Sequence, residues 1–197
     1  MVVRKKVVLA SASQRRKVLL KQIGLSFDVV ESNIAEIFDP RKSVQDNVQY
    51  IAYQKAASVA SSFDNAIIIG ADTVVVLGSE ILTKPKDADD ARRMLMNLSG
   101  NVHEVFTGLT LLDCPSNKSL STFEMTKVKF RTLSSGEIDE YIQSGSPMDK
   151  AGAYGIQDDY GAVFVERVEG CFYNVVGFPL ARFYVTMREF QKQLGLL

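Results

Sequence analysis

Only two cysteines, Cys114 and Cys171, occur in 197 residues, too few for a disulfide scaffold and without the spacing of metal ligands. Reduced thiols in a reducing compartment are the expectation. His103 is the single histidine, so a serine–histidine–aspartate triad would have to use it. No Gly-x-Ser-x-Gly turn supplies a nucleophile, and His103 beside Glu104 reads as structural. Walker A and Gly-x-Gly-x-x-Gly patterns are absent too, which removes P-loop and Rossmann readings. Neither charge dominates: Lys plus Arg and Asp plus Glu both number 23. Without a global field to attract nucleic acid, any anion site must come from a local concentration of basic groups. No apolar run approaches the ~20 residues that span a bilayer. The opening Met1-Val-Val-Arg-Lys-Lys6 leads into a short apolar strand, unlike a secretory leader. These absences predict a cytoplasmic protein that engages neither membrane nor nucleic acid.

What remains is enough apolar side chain, 46% of the residues, to build a core without staples. Val7 to Ala10 reads as a buried strand, and Ser13 as the N-cap of a helix that turns Leu19, Leu20 and Ile23 inward and ends at Gly24. A second helix opens near Ser43 and places Val48, Ile51, Ala52 and Val59 at helical spacing. A long strand runs over 67–77, followed by a Gly78-Ser79 turn and a short partner strand over 80–83. Asp87 caps a third helix with the stripe Ala91, Met94, Leu95 and Leu98. Strands follow over 103–112 and 122–130, the latter with an apolar phase shift between Met125 and Val128 that suggests a bulge. Ser134 and Glu137 form a capping box for a helix bearing Ile138, Tyr141 and Ile142. A glycine-rich stretch over 151–157 leads to expected strands at 162–168 and 173–176, then to a helix after Pro179 packing Leu180, Phe183, Tyr184, Met187 and Phe190. The alternation predicts one α/β domain over 1–197, a mixed twisted sheet with flanking helices.

Three places carry chemistry beyond what packing needs. Ser11, Ser13, Arg15, Arg16 and Lys17 lie at a strand-to-helix junction. The helix N-terminus is already positive, so three cations there oppose helix stability unless a polyanion joins them. An ordinary basic turn paired with acidic neighbours is the plainer account. Asp72 sits between three isoleucines and three valines, where a carboxylate is costly unless paired, hydrogen-bonded or bound to a cation. Gly70 and Ala71 before it would leave room for a ligand, though Asp72 could instead cap a loop or pair with a lysine. Lys55 falls at i+7 from Val48, on the apolar stripe of its own helix. Its stem could be buried while the ammonium reaches water, or the ammonium could enter a phosphate cleft. In the second case other cations gathered on the phosphate would repel it when no phosphate is bound. Replacing it by methionine would then leave stability intact or improve it. Glu36 and Lys84 are individually weak and would be assigned to solvent.

In order along the chain, Leu9-Ala-Ser-Ala-Ser-Gln-Arg-Arg16, Ile69-Gly-Ala-Asp-Thr-Val-Val75, Leu82-Thr-Lys-Pro85, Leu98-Ser-Gly100, His103-Glu-Val-Phe-Thr-Gly108, Asp149-Lys-Ala-Gly-Ala-Tyr-Gly-Ile-Gln157 and Val175-Val-Gly-Phe-Pro179 form a specific set. Together they resemble the Maf family of nucleotide pyrophosphatases over about residues 7–188. The resemblance implies a Maf or inosine-triphosphatase-like fold, two lobes around a nucleotide cleft. It implies cleavage of dTTP, UTP and related pyrimidine nucleotides, including modified ones, to the monophosphate and pyrophosphate, as a house-cleaning activity. A divalent cation, Mg²⁺ or Mn²⁺, is the implied cofactor, and a homodimer the implied assembly.

On the matching positions, Asp72 and Glu36 would hold the metal, with Asp72 as proton acceptor. Lys55 and Lys84 would complete the catalytic set, while Ser11, Arg15 and Arg16 would bind phosphates. Arg15, Thr73 and Gln157 match the pyrimidine subgroup, with Thr73 and Gln157 facing the base. Family members often carry proline where Glu31 stands and an acidic residue where Ala35 stands, so Glu31 is the alternative to Glu36. A non-catalytic nucleotide- or RNA-binding regulator of cell division is the rival class; it would be favoured by loss of an acidic metal ligand, yet Glu36 and Asp72 are both present.

Overall fold

The computed structural model describes residues 1–114, 116–157 and 159–197, and for Asp159 the backbone alone. In chain order the elements are β1 (Lys6–Ala10), α1 (Gln14–Gln22), β2 (Asp28–Val30), α2 (Val44–Ala60), β3 (Ala66–Leu77), β4 (Glu80–Leu82), α3 (Ala88–Leu98), β5 (Val102–Cys114), β6 (Ser119–Phe130) and α4 (Ser135–Gln143). Two 3-10 turns, Ser146–Asp149 and Ala151–Ala153, precede α5 (Asp159–Phe164), β7 (Val165–Glu169), α6 (Phe172–Val176) and α7 (Leu180–Gln193). The sheet is mixed: strands follow the order β2-β1-β3-β5-β6-β7, with β4 paired to β3. β1 is parallel to β2 and β3, while β4 and β7 run antiparallel to their neighbours. A mixed α/β sheet with flanking helices is therefore the fold.

Local chemistry starts the helices where expected. Ser13, Ser43 and Asp87 accept N–H bonds from Arg16, Asp46 and Asp90, and the Ser134–Glu137 capping box is complete. The chain divides into two compact units, both discontinuous in sequence: Met1–Asp72, Thr107–Glu124 and Gly177–Leu197 in one, Thr73–Phe106 and Met125–Val176 in the other. In the first, Val8, Ala10, Ile68 and Leu112 from the strands form a core with Ala56 and Val59 of α2. Two glycines let α2 lie directly on the strands. A Cβ on Gly70 would stand 2.0 Å from Ala52 O, and one on Gly108 2.2 Å from Val48 O. The space at Gly70 thus belongs to the α2 backbone rather than to a ligand.

Three expectations need correction. The strand expected over 162–168 begins only at Val165: residues 162–164 close helix α5, which buries Gly161 and Phe164 three apart and leaves Ala162 and Val163 exposed. Residues 172–176 are also helical. There Asn174 Nδ2 donates to Val105 O at 2.9 Å and Thr126 Oγ1 at 3.0 Å, tertiary bonds that override the β-branched pair Val175-Val176. In its pairing with β7, β6 has a register irregularity between Lys129 and Phe130. On α7, Leu180, Phe183, Met187 and Phe190 are buried, but Tyr184 is 49% exposed.

Candidate functional site

In the first unit, β1 ends at Ala10 and hands the chain to α1 through Ser11, Ala12 and Ser13. Arg16, in the first turn of that helix, is buried. Its guanidinium does not project into solvent as a basic surface turn would. Nε donates to Gly177 O at 3.0 Å, and Nη1 donates to Ala71 O at 2.9 Å and Ser11 Oγ at 3.3 Å. Arg16 therefore ties the β1–α1 junction to the middle of β3, just before Asp72. Burial pushes the Arg16 guanidinium below its ordinary pKa, Asp72 and Glu36 pull it upward, and Arg15 adds to the lowering. Those influences put both carboxylates in the same electrostatic neighbourhood as the two arginines.

Lys55 settles its own ambiguity. The glycine contacts press α2 onto the sheet, and the stem is buried along that face. The ammonium then lies between two carboxylates, 2.7 Å from Asp72 Oδ1 and 2.6 Å from Glu36 Oε1. It does not snorkel to water, nor is it a cation surrounded by cations. Asp72 is only 3% exposed, and its second oxygen, Oδ2, has no hydrogen-bond partner among the described residues. A buried carboxylate oxygen left in this state is costly, so the position suits an added cation or water. Glu36 lies on an exposed loop and is carried to Lys55, whereas Glu31 is simply exposed.

No group of three or more His, Cys, Asp or Glu side chains is close enough to hold a metal among the described residues. The donor set is Asp72 Oδ2 plus the half-exposed Glu36. That is short for a cage, but it fits Mg²⁺, which is commonly held by one or two carboxylates with phosphate and water oxygens completing the shell.

The second unit carries the other sequence-predicted residues. Thr73 follows Asp72 on β3 and is half-buried; Lys84 is exposed after β4; Gln157 is exposed in a turn. Gly152 N–H donates to Thr83 O at 3.1 Å, which joins the glycine-rich segment to the residue before Lys84. His103 is 1% exposed, and its Nε2 shares a 2.8 Å hydrogen bond with Tyr154 Oη. Burial lowers the imidazole to a pKa of about 4, so it is neutral at physiological pH. Sequence reasoning overlooked Tyr141, which it counted only as an apolar-face residue of α4. Its Oη accepts Gly155 N–H at 3.3 Å. A tyrosine on a buried stripe is itself the cue, since its hydroxyl must find a partner. Both Cys114 and Cys171 are free thiols. Among the described residues, no helix is long and apolar enough to cross a membrane.

A family model described as Maf-like protein matches residues 6–190. A dTTP/UTP pyrophosphatase of Acetivibrio thermocellus is 48% identical over 192 residues, covering 94% of this chain and 95% of that protein. Proteins of the same name from Clostridium botulinum (strain Kyoto / Type A2) and Dictyoglomus turgidum are each 48% identical, over 94% and 95% of this chain and 97% of their own lengths. The solved structure of the Staphylococcus aureus Ham1 protein overlaps 64% of this chain and 72% of its own, at a TM-score of 0.44 and 18% identity, a likeness too slight to support any argument.

Proposed function

The chain belongs to the Maf family, and from that premise we propose that it hydrolyses dTTP, UTP and related or modified pyrimidine nucleoside triphosphates between the α- and β-phosphorus. The products are the nucleoside monophosphate and pyrophosphate, and the physiological effect is removal of unwanted nucleotides. The observation that carries the reading is Asp72: a buried carboxylate with one oxygen on Lys55 and the other without a hydrogen-bond partner among the described residues, in the same neighbourhood as Arg15 and Arg16.

The roles follow from that geometry. Lys55 bridges Asp72 and Glu36, so the two carboxylates are held together before substrate arrives. A divalent cation, Mg²⁺ or Mn²⁺, held by Asp72 and Glu36 would neutralise phosphate charge. Asp72 orients the attacking water and takes its proton as the water oxygen bonds to the α-phosphorus and the bond to the bridging oxygen breaks. Ser11, Arg15, Arg16, Lys55 and Lys84 meet the growing negative charge of the departing pyrophosphate. Arg16 contributes its charge while its donors keep Ser11 and Ala71 in place. Thr73 and Gln157 hydrogen-bond the pyrimidine edge. We further take the protein to act in the cytoplasm as a homodimer, without nucleic acid or membrane.

The test is product identity. With Mg²⁺, UTP yields UMP and pyrophosphate in one step, EDTA stops the reaction, and Asp72→Asn lowers kcat by about a hundredfold or more, as expected for loss of a general base. Accumulation of UDP and orthophosphate would overturn the proposal. Nucleotide binding without turnover would favour the rival regulator.

A further inference from the structure

Residues 150–157 are held by buried contacts that the roles above leave unused. At Gly152 φ is +69°, and a Cβ there would lie 2.8 Å from Val75 Cγ2, so the backbone passes directly against β3. Ala153 follows with φ of +61° and is fully buried. A left-handed alanine is strained and persists only where its surroundings over-determine it.

Two tyrosine hydroxyls do part of that work. Tyr154 Oη is bonded to His103 Nε2 at 2.8 Å, and Tyr141 Oη accepts Gly155 N–H at 3.3 Å. Gly161 of α5 presses on the same peptide, since a Cβ there would stand 2.3 Å from Gly155 O. The tyrosine rings pack edge-on, Tyr154 against Phe130 at 4.7 Å and Tyr141 against Phe164 at 5.1 Å. Phenylalanine would fill those places equally well, and a buried hydroxyl is tolerated only when bonded. One hydroxyl holds the side chain just before Gly155, and the other holds the Gly155 peptide itself. Two residues later Gln157 is exposed in its turn.

We propose that Tyr141 and Tyr154 are positioning residues for base recognition. Their buried hydroxyls fix the backbone at Gly155 and thereby the direction in which Gln157 is presented to the pyrimidine. This rests on the assignment of Gln157 to the base. A glutamine contributes selectivity only if its amide is held still; on a mobile turn it adapts to other bases and the discrimination is lost.

Tyr141→Phe removes one oxygen and keeps the ring. Steady-state kinetics with UTP and GTP, together with calorimetric titration by pyrophosphate alone, are measured for wild type, Tyr141→Phe, Gln157→Ala and the double variant. KM for UTP is expected to rise about tenfold, the size that follows when a buried N–H loses its acceptor, with little change in kcat. The UTP-to-GTP ratio of kcat/KM narrows by about the same factor, pyrophosphate affinity is unchanged, and the double variant is no less selective than Gln157→Ala. Tyr154→Phe shows the same pattern, and carries the test if Tyr141→Phe does not fold. Unchanged selectivity in both tyrosine variants, or an equal narrowing with and without Gln157, would overturn the proposal. So would a loss of pyrophosphate affinity comparable to the loss for UTP, which would make the effect one of folding. If Gln157→Ala itself leaves selectivity intact, the base assignment fails first and the positioning role with it. The products of UTP cleavage are unaffected by any of these outcomes, so the reaction and the positioning device are judged separately.

Discussion

Replacing Lys55 by methionine keeps most of the apolar stem and deletes the ammonium between Asp72 and Glu36. In wild type the pairs measure 2.7 and 2.6 Å, with side-chain exposures of 9% for Lys55, 4% for Asp72 and 43% for Glu36. Glu36 can turn to water when its partner is lost; Asp72 cannot. Removing one partner of a buried ion pair typically costs about 3 to 5 kcal/mol because the other charge is left uncompensated. Arg16 attracts Asp72 electrostatically, which places this case at the low end, about 3 kcal/mol. For a chain of this length that corresponds to a fall in Tm of roughly 6 to 12 °C. The assay is urea and thermal unfolding in EDTA without nucleotide, so that neither metal nor phosphate contributes. Asp72→Asn in the same background removes the stranded charge, so the double variant should regain most of the lost stability. This reverses the expectation from sequence that Lys55 is a repelled cation. A Lys55→Met protein as stable as wild type, or a double variant no more stable than the single, would refute the reasoning.

The buried imidazole makes a pH prediction. His103 has its pKa lowered to about 4 in the folded protein, against about 6.5 when unfolded. Between those values the unfolded chain binds the extra proton, so stability falls as pH drops from about 6.5 to 4, by about 3 kcal/mol in all. Urea melts of wild type and His103→Gln across pH 7.5 to 4.5 should converge by most of that amount; a constant gap would remove His103 from the acid response. A second prediction concerns the domain. Each compact unit is completed by segments from separate parts of the chain, so calorimetry should show one transition with equal van't Hoff and calorimetric enthalpies. Two resolved transitions would count against a single domain over 1–197.

Much of the architecture could be read from local pattern. The N-caps Ser13, Ser43 and Asp87 and the Ser134–Glu137 capping box are short-range chemistry, and short-range chemistry is written in neighbouring residues. The apolar stripe on α3 is likewise a matter of spacing along one helix. Residues 172–176 show where that ends, because Asn174 takes its partners from Val105 and Thr126, 69 and 48 positions away. No window around Val175-Val176 contains that information, and β-branched side chains then point to a strand.

The site divides along the same line. Composition and order of motifs named Ser11, Arg16, Lys55 and Asp72 as residues out of keeping with their surroundings, since a charge on an apolar stripe or inside a valine run is visible in one dimension. What the sequence could not decide was the use of each charge. Lys55 lies 17 residues from Asp72 and 19 from Glu36 in the sequence, yet pairs with both, because Gly70 and Gly108 allow α2 to touch the sheet. Arg16 reads as a free phosphate fork, but it binds Ala71 O and Gly177 O from the other ends of the unit. Burial and long-range hydrogen bonding convert an anomalous residue into a particular contact, and both exist only once the chain has closed on itself.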